Sequence, residues 1–213
     1  MPARVSEAFV LRSYPFEEGD LIVSFFTRDQ GKLRGVAKRA RRLKSQFGSG
    51  LERLSQVRVS YYQKENAELV RMDGCEIIQS QFAVLDSYDA GVALDFIAEV
   101  SGELLPPAAP DERFYRLIGA VLADLRADPA AGVWRAATYF SYWAVRLSGL
   151  LPELRVSETS RELMGAMAVR PIAQFAGREW TRQTAADLRR ALCGVIEAHI
   201  ERKLATVPLM EAM

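Results

Sequence analysis

Cysteine and histidine are nearly absent: Cys75, Cys193 and His199 are the whole supply in 213 residues. A structural zinc site takes four such ligands, so three scattered candidates predict no metal site, and the two cysteines read as buried thiols. Neither belongs to a CxxC pair, and no disulfide is expected between them in a reducing compartment. No apolar run approaches the roughly 20 residues that span a bilayer. The N-terminal MPARVSEAF lacks the apolar stretch and cleavage site of a signal peptide, so the expected setting is cytoplasmic, away from membrane. Also missing are a GxxxxGK[ST] phosphate loop, an HExxH pair and a GxSxG elbow. His199 falls on an apolar helical face and reads as structural, while Glu17 and Glu18 sit in a turn with nothing to raise a pKa. No catalytic residue and no cofactor is assigned, and the expectation is a protein that is not an enzyme.

Acidic residues are missing from one stretch in particular. Between Asp29 and Glu52 there is none, while Lys32, Arg34, Lys38, Arg39, Arg41, Arg42 and Lys44 fall within thirteen positions. The chain as a whole carries a formal net charge of +1, so this local excess is held against the average. Clustered like charges repel unless a polyanion neutralises them. Nucleic acid is the usual one, because each neutralised phosphate releases counterions and adds affinity. The charge is divided unevenly: residues 1–80 carry 14 basic and 10 acidic side chains, residues 81–213 carry 14 and 17. Two modules with different partners are implied.

The first 80 residues read as five short strands. Arg4–Tyr14 and Leu21–Thr27 are rich in β-branched and aromatic residues. Arg28–Gly31 suits a hairpin turn, and Lys32–Arg39 follows with Gly35 suggesting a bulge or bend. Gln56–Lys64 alternates, and Glu68–Met72 begins a fifth strand ending near Gly74. Five strands in so short a span predict an antiparallel barrel of the oligonucleotide-binding (OB) type. The period then changes to helical. Helices are predicted over 88–105, 111–125, 131–150, 157–167 and 184–204, divided by Pro106-Pro107, Asp128-Pro129 and Gly149 with Pro152. The fold class is α+β, with an OB barrel over residues 1–80 and a helical domain over 81–213.

Sequence-independent binding of a strand needs cations along the phosphates and aromatic platforms for bases. The cations are Lys32, Arg34, Lys38, Arg39, Arg41, Arg42 and Lys44, with Arg39, Arg41 and Arg42 favoured because guanidinium pairs phosphate oxygens bidentately. Phe47 could stack a base or anchor the loop to the barrel, and Tyr62, on the more polar side of its strand, could also stack a base. Phe9, Phe25 and Phe26 read as core. Aromatic density from Phe114 to Trp143 also reads mostly as core, with Arg113, Arg116, Arg135 and Arg146 as possible rims of a groove for an acidic peptide.

The order of these motifs resembles the DNA repair protein RecO family. The resemblance rests on EAFVLRSYPFEEGDLIVSFFTRDQGKLRGVAKRARRLKSQFGSGLERL, on LLPPAAPDERFYRLI and on RAATYFSYWAVRLSGLLPEL. It implies a recombination mediator that binds single- and double-stranded DNA and anneals complementary strands. It also implies partners: RecR, the acidic C-terminal tail of single-strand-binding protein (SSB) on the helical domain, and RecA indirectly. Many family members carry a four-cysteine zinc site after the Gly-x-x-Pro turn. Here RVSETSRELMGAMAVRPIAQFAGREW has no cysteine, which resembles the zinc-less members and leaves that region to be stabilised by packing. The cations and barrel alone also suit an RNA-binding OB protein, or an adaptor whose basic loop holds an acidic peptide.

Overall fold

The computed structural model describes residues 3–42, 44–63 and 68–213. It forms two compact units, one made of residues up to Gln81 together with Leu105–Tyr115, the other of Phe82–Leu104 and Arg116–Met213.

The first unit is built on β1 (Arg4–Phe16), β2 (Asp20–Thr27), β3 (Gly31–Ala37), β4 (Gln56–Tyr62) and β5 (Val70–Gln79). They close into a barrel in the order β1-β2-β3-β5-β4, with β1 pairing β4 to complete the ring. All pairings are antiparallel except β3 with β5. This is the OB-type barrel expected from the strand count. Period-2 alternation decides which side chains fill it. Leu33 and Ala37 of β3 point inward with Val57, Val59 and Tyr61 of β4, while Arg34 faces outward. The Tyr61 hydroxyl is satisfied inside by Ser6 Oγ at 3.3 Å.

Gly35 marks a close approach rather than a bulge. Its pairing with Val23 on β2 is regular, and a Cβ there would lie 2.8 Å from Met72 and 2.9 Å from Val70 of β5. The parallel closure of the barrel therefore needs glycine at this position. The irregularities lie elsewhere, between Val10 and Arg12 in β1 and, in β4, between Gln56 and Val57 and between Ser60 and Tyr61. The fifth strand also continues well past Gly74, because Cys75 and Ile77 go on pairing with Val59 and Val57.

Segment Leu105–Tyr115 belongs with the barrel. Ala108 donates its N–H to the Lys32 carbonyl at 2.9 Å, and Phe114 and Tyr115 pack on Phe26 and Phe9. Phe9 and Phe26 are thus core residues, as is Phe25 inside the barrel.

The second unit consists of α1 (Tyr88–Leu104), α2 (Glu112–Ala127, from Arg116 on), α3 (Val133–Leu147), α4 (Glu158–Val169), α5 (Ala186–Ile200) and the short α6 (Val207–Glu211). Helices α1 and α3 are buried around most of their circumference. The final segment was not legible as helix; Pro208 occupies its first turn, where a missing N–H costs nothing. His199 is exposed on α5, not set in an apolar face. Between α3 and α5 the chain has no cysteine, and Asp187 does the tying: it accepts the Ser157 N–H at 2.7 Å and the Ser160 hydroxyl at 2.5 Å.

Candidate nucleic-acid interface

The basic stretch leaves β3 as a turn, Lys38–Arg42, and returns to the barrel through Phe47. Two main-chain contacts hold the turn against the β1–β2 connection. Arg39 N–H donates to Asp20 Oδ1 at 2.7 Å, and Arg41 N–H donates to the Gly19 carbonyl at 3.1 Å. The acidic turn Glu17–Asp20 is therefore a brace for the basic one. Arg39 needs it, since its φ of 54° lies in the left-handed region that side chains disfavour.

Phe47 is a correction to the sequence reading. Its side chain is 2% exposed and joins the barrel core, so the ring has no face to offer a base. Its carbonyl accepts the Gly50 N–H at 2.9 Å and the Cys75 thiol at 3.4 Å. Phe47 anchors the loop. Both cysteines are free, and burial pushes Cys75 up to about 11 and Cys193 up to about 12, the behaviour of inert thiols.

Between the loop and β5 lies an open groove of about 590 Å³. Lys38, Arg39, Arg42 and Lys44 line it from the loop side, with Ser45 and Gln46, and Arg71 of β5 lines it from the other. Arg71 gave no signal in the sequence, being one cation among mixed residues; the parallel pairing that sets it beside Val36 brings it in. The remaining predicted cations lie outside this groove. Arg41 is exposed on the turn, and Lys32 and Arg34 stand on the outer side of β3, Lys32 half-buried. Leu43, within the loop, and Lys64–Ala67, where the turn after β4 was expected, lie outside the described residues. Among the described residues, no carboxylate comes within ion-pair reach of the side chains of Arg34, Lys38, Arg39, Arg41, Arg42, Lys44 or Arg71. The Asp20 carboxylate nonetheless lies beside the turn, on the Arg39 N–H.

The helical unit holds a separate cavity of about 160 Å³, lined by Phe96, Trp134, Cys193 and Met210 and bordered by Arg182 and Arg190. Arg189 is buried on its wall, with its guanidinium 4.6 Å from the Trp134 ring centre. It donates to Thr138 Oγ at 3.0 Å and to the carbonyls of Thr184 and Arg182. Burial lowers its pKa to about 10, and among the described residues it has no carboxylate partner. None of the four arginines expected as rims lines this cavity. Arg135 is 2% exposed and ion-paired with Asp124 at 2.8 Å, Arg146 lies over Trp143 at 4.9 Å, and Arg113 and Arg116 are exposed on α2. Among the described residues no group of three His, Cys, Asp or Glu side chains could hold a metal ion. No helix among them is long and apolar enough to cross a membrane.

Barrel order, loop and groove together define an OB-barrel protein with a cationic groove and a helical unit. Comparison with known proteins narrows this. Residues 1–81 match the family described as "Recombination protein O N terminal". A protein of Koribacter versatilis named DNA repair protein RecO is 39% identical over 242 residues, covering 98% of either chain. Proteins of the same name from Geobacter metallireducens and Thermodesulfovibrio yellowstonii are 32% and 33% identical, over 59% and 55% of this chain and 50% and 47% of their own length. The chain belongs to the RecO family of DNA repair proteins.

Proposed function

We propose that this protein is a recombination mediator that binds single- and double-stranded DNA, anneals complementary strands and, with RecR, helps RecA replace SSB on gapped DNA. The observation that carries the reading is the groove of Lys38, Arg39, Arg42, Lys44 and Arg71 on an OB barrel, its cationic side chains without an ion-pair partner among the described residues. Cations without base-edge readers give affinity independent of sequence, and neutralising phosphate charge lets two strands approach. No bond is made or broken in this work, so the proposed role is not enzymatic, and its setting is the cytoplasm, at the nucleoid during repair. Residues 1–80 carry the DNA, and residues 81–213 carry protein contacts. The Arg189 cavity supports the second assignment: an apolar slot bordered by Arg182, Arg189 and Arg190, with Glu211 as the carboxylate of its described lining, suits an acidic tail with apolar residues, such as that of SSB.

The test is annealing of complementary DNA strands by the wild type and by a variant with Lys38, Arg39, Arg41, Arg42 and Lys44 changed to Gln. Faster annealing by the wild type only, on DNA, is the expected result. Tight RNA binding without DNA annealing would instead support an RNA-binding OB protein.

A further inference from the structure

With Phe47 in the core, the cationic groove has no ring from its own loop, yet strand binding uses aromatic platforms as well as cations. The strand registers supply one. Tyr14 of β1 lies opposite Ile22 of β2. Ile22 lies opposite Val36 of β3, Val36 is beside Arg71 of β5, and Arg71 is opposite Tyr62 of β4. Each of the five strands contributes one residue to a single row. Alternation puts Ile22, Val36, Arg71 and Tyr62 on the outside, because their sequence neighbours Val23, Ala37, Val70, Met72 and Tyr61 belong to the core, and Tyr14 is placed there by its own exposure.

Tyr14 is 40% exposed. Ile22, Val36 and Tyr62 are half-buried, as expected of residues packed shoulder to shoulder on a sheet. In the next row outward-facing Arg12 lies opposite Ser24, and Ser24 opposite Arg34. The Arg12 guanidinium sits 4.7 Å from the Tyr14 ring centre and braces it. At about 4.8 Å between neighbouring strands, Tyr14 stands roughly 14 Å from Arg71. Arg71 is also a wall of the phosphate groove, so the row and the groove are continuous through it.

We propose that this row is a base-stacking platform for single-stranded DNA. Tyr14 and Tyr62 are the rings, Ile22 and Val36 form an apolar floor between them, and Arg71 joins the stacked bases to phosphates held in the groove. The inference rests on the DNA-binding reading above. Cations on both sides of the row, Arg12 and Arg34 on one and Lys38, Arg39 and Arg42 on the other, make nucleic acid the complementary occupant. A duplex keeps its bases stacked internally and has little use for such a platform.

Binding of an oligo-dT strand and of a duplex of equal length is compared for wild type, Y14A, Y62A, Y14F and Y62F, each with a salt titration. Either alanine variant should weaken single-strand binding by about tenfold or more. The phenylalanine variants should bind normally, and duplex affinity and salt slope should not move. In the Y14W variant, oligo-dT should quench fluorescence beyond any change in the wild type, which tests the platform even where an alanine variant folds poorly. Full single-strand affinity in Y14A and Y62A, equal losses on strand and duplex, or unquenched Y14W fluorescence with oligo-dT bound would overturn the platform. A wild-type protein that binds neither DNA would instead overturn the DNA-binding reading.

Discussion

Replacing Asp20 by alanine removes a negative charge from beside a proposed polyanion site, and we predict that it weakens DNA binding. Two effects oppose each other, and their sizes decide the outcome. At about 10 Å in water a carboxylate and a phosphate repel by ~0.4 kcal/mol, and a screening length of about 8 Å at physiological salt cuts this by more than half. Against it stands the hydrogen bond from Arg39 N–H to Asp20 Oδ1 at 2.7 Å. A bond to a charged group contributes ~1.5–3 kcal/mol, and here it holds a residue with φ of 54°, a conformation costing about 1–2 kcal/mol. Losing the acceptor frees the turn to relax, and a groove formed only part of the time binds in proportion to that fraction. D20A should therefore bind a labelled 30-nucleotide strand about tenfold more weakly by fluorescence anisotropy. D20N, which keeps an oxygen acceptor and loses the charge, should bind at least as well as wild type. E18Q removes a carboxylate of the same turn that braces nothing and should stay within about twofold. Binding by D20A as tight as by D20N would refute the brace, provided both melt like the wild type.

Three further predictions concern the core. F47L keeps an apolar anchor but no ring, so DNA affinity should hold within about twofold, whereas F47A should cost about 3–5 kcal/mol of stability in denaturant titration. D124A leaves Arg135, at 2% exposure, with only the longer 4.0 Å ion pair to Asp128 among the described residues; thermal melting should show a loss of up to about 3–5 kcal/mol, and a loss below about 1 kcal/mol would contradict a structural ion pair. Asp187 gives a pH signature. Burial opposes its ionisation, but hydrogen bonds from Ser160, Ser157 and Leu188 outweigh it and pull the carboxyl down to about 2. A depressed folded-state pKa gives stability that is fully present above about pH 4 and lost as pH falls towards about 2. D187N should abolish that part of the acid-unfolding curve, and an unchanged curve would contradict the tie.

Much of the barrel was legible because alternation is a local signal. Val57, Val59 and Tyr61 announce a half-buried strand without knowledge of its neighbours. The features that were not legible depend on pairing between distant residues. The fifth strand reads as ending near Gly74, yet β5 runs on to Gln79 because β4 continues beside it. Gly35 reads as a bulge or bend because sequence cannot show Val70 and Met72 pressing on it. Arg71 reads as an ordinary surface charge until the parallel pairing places it across from the basic loop. Phe47 beside seven cations reads equally as platform or anchor, and only burial separates the two. Phe114 and Tyr115 continue an apolar helical stripe, which gives no hint that their partners are Phe26 and Phe9 of the barrel.

The most direct measurement is the salt dependence of single-strand binding by wild type and by a variant with Lys38, Arg39, Arg42, Lys44 and Arg71 all changed to Gln. With about −0.7 in the log–log slope for each phosphate neutralised, five groove cations predict that the variant's slope is shallower by up to about 3.5, and that its affinity at low salt collapses. A variant that is folded and keeps both the slope and the affinity of the wild type would contradict the claim that this groove holds the DNA.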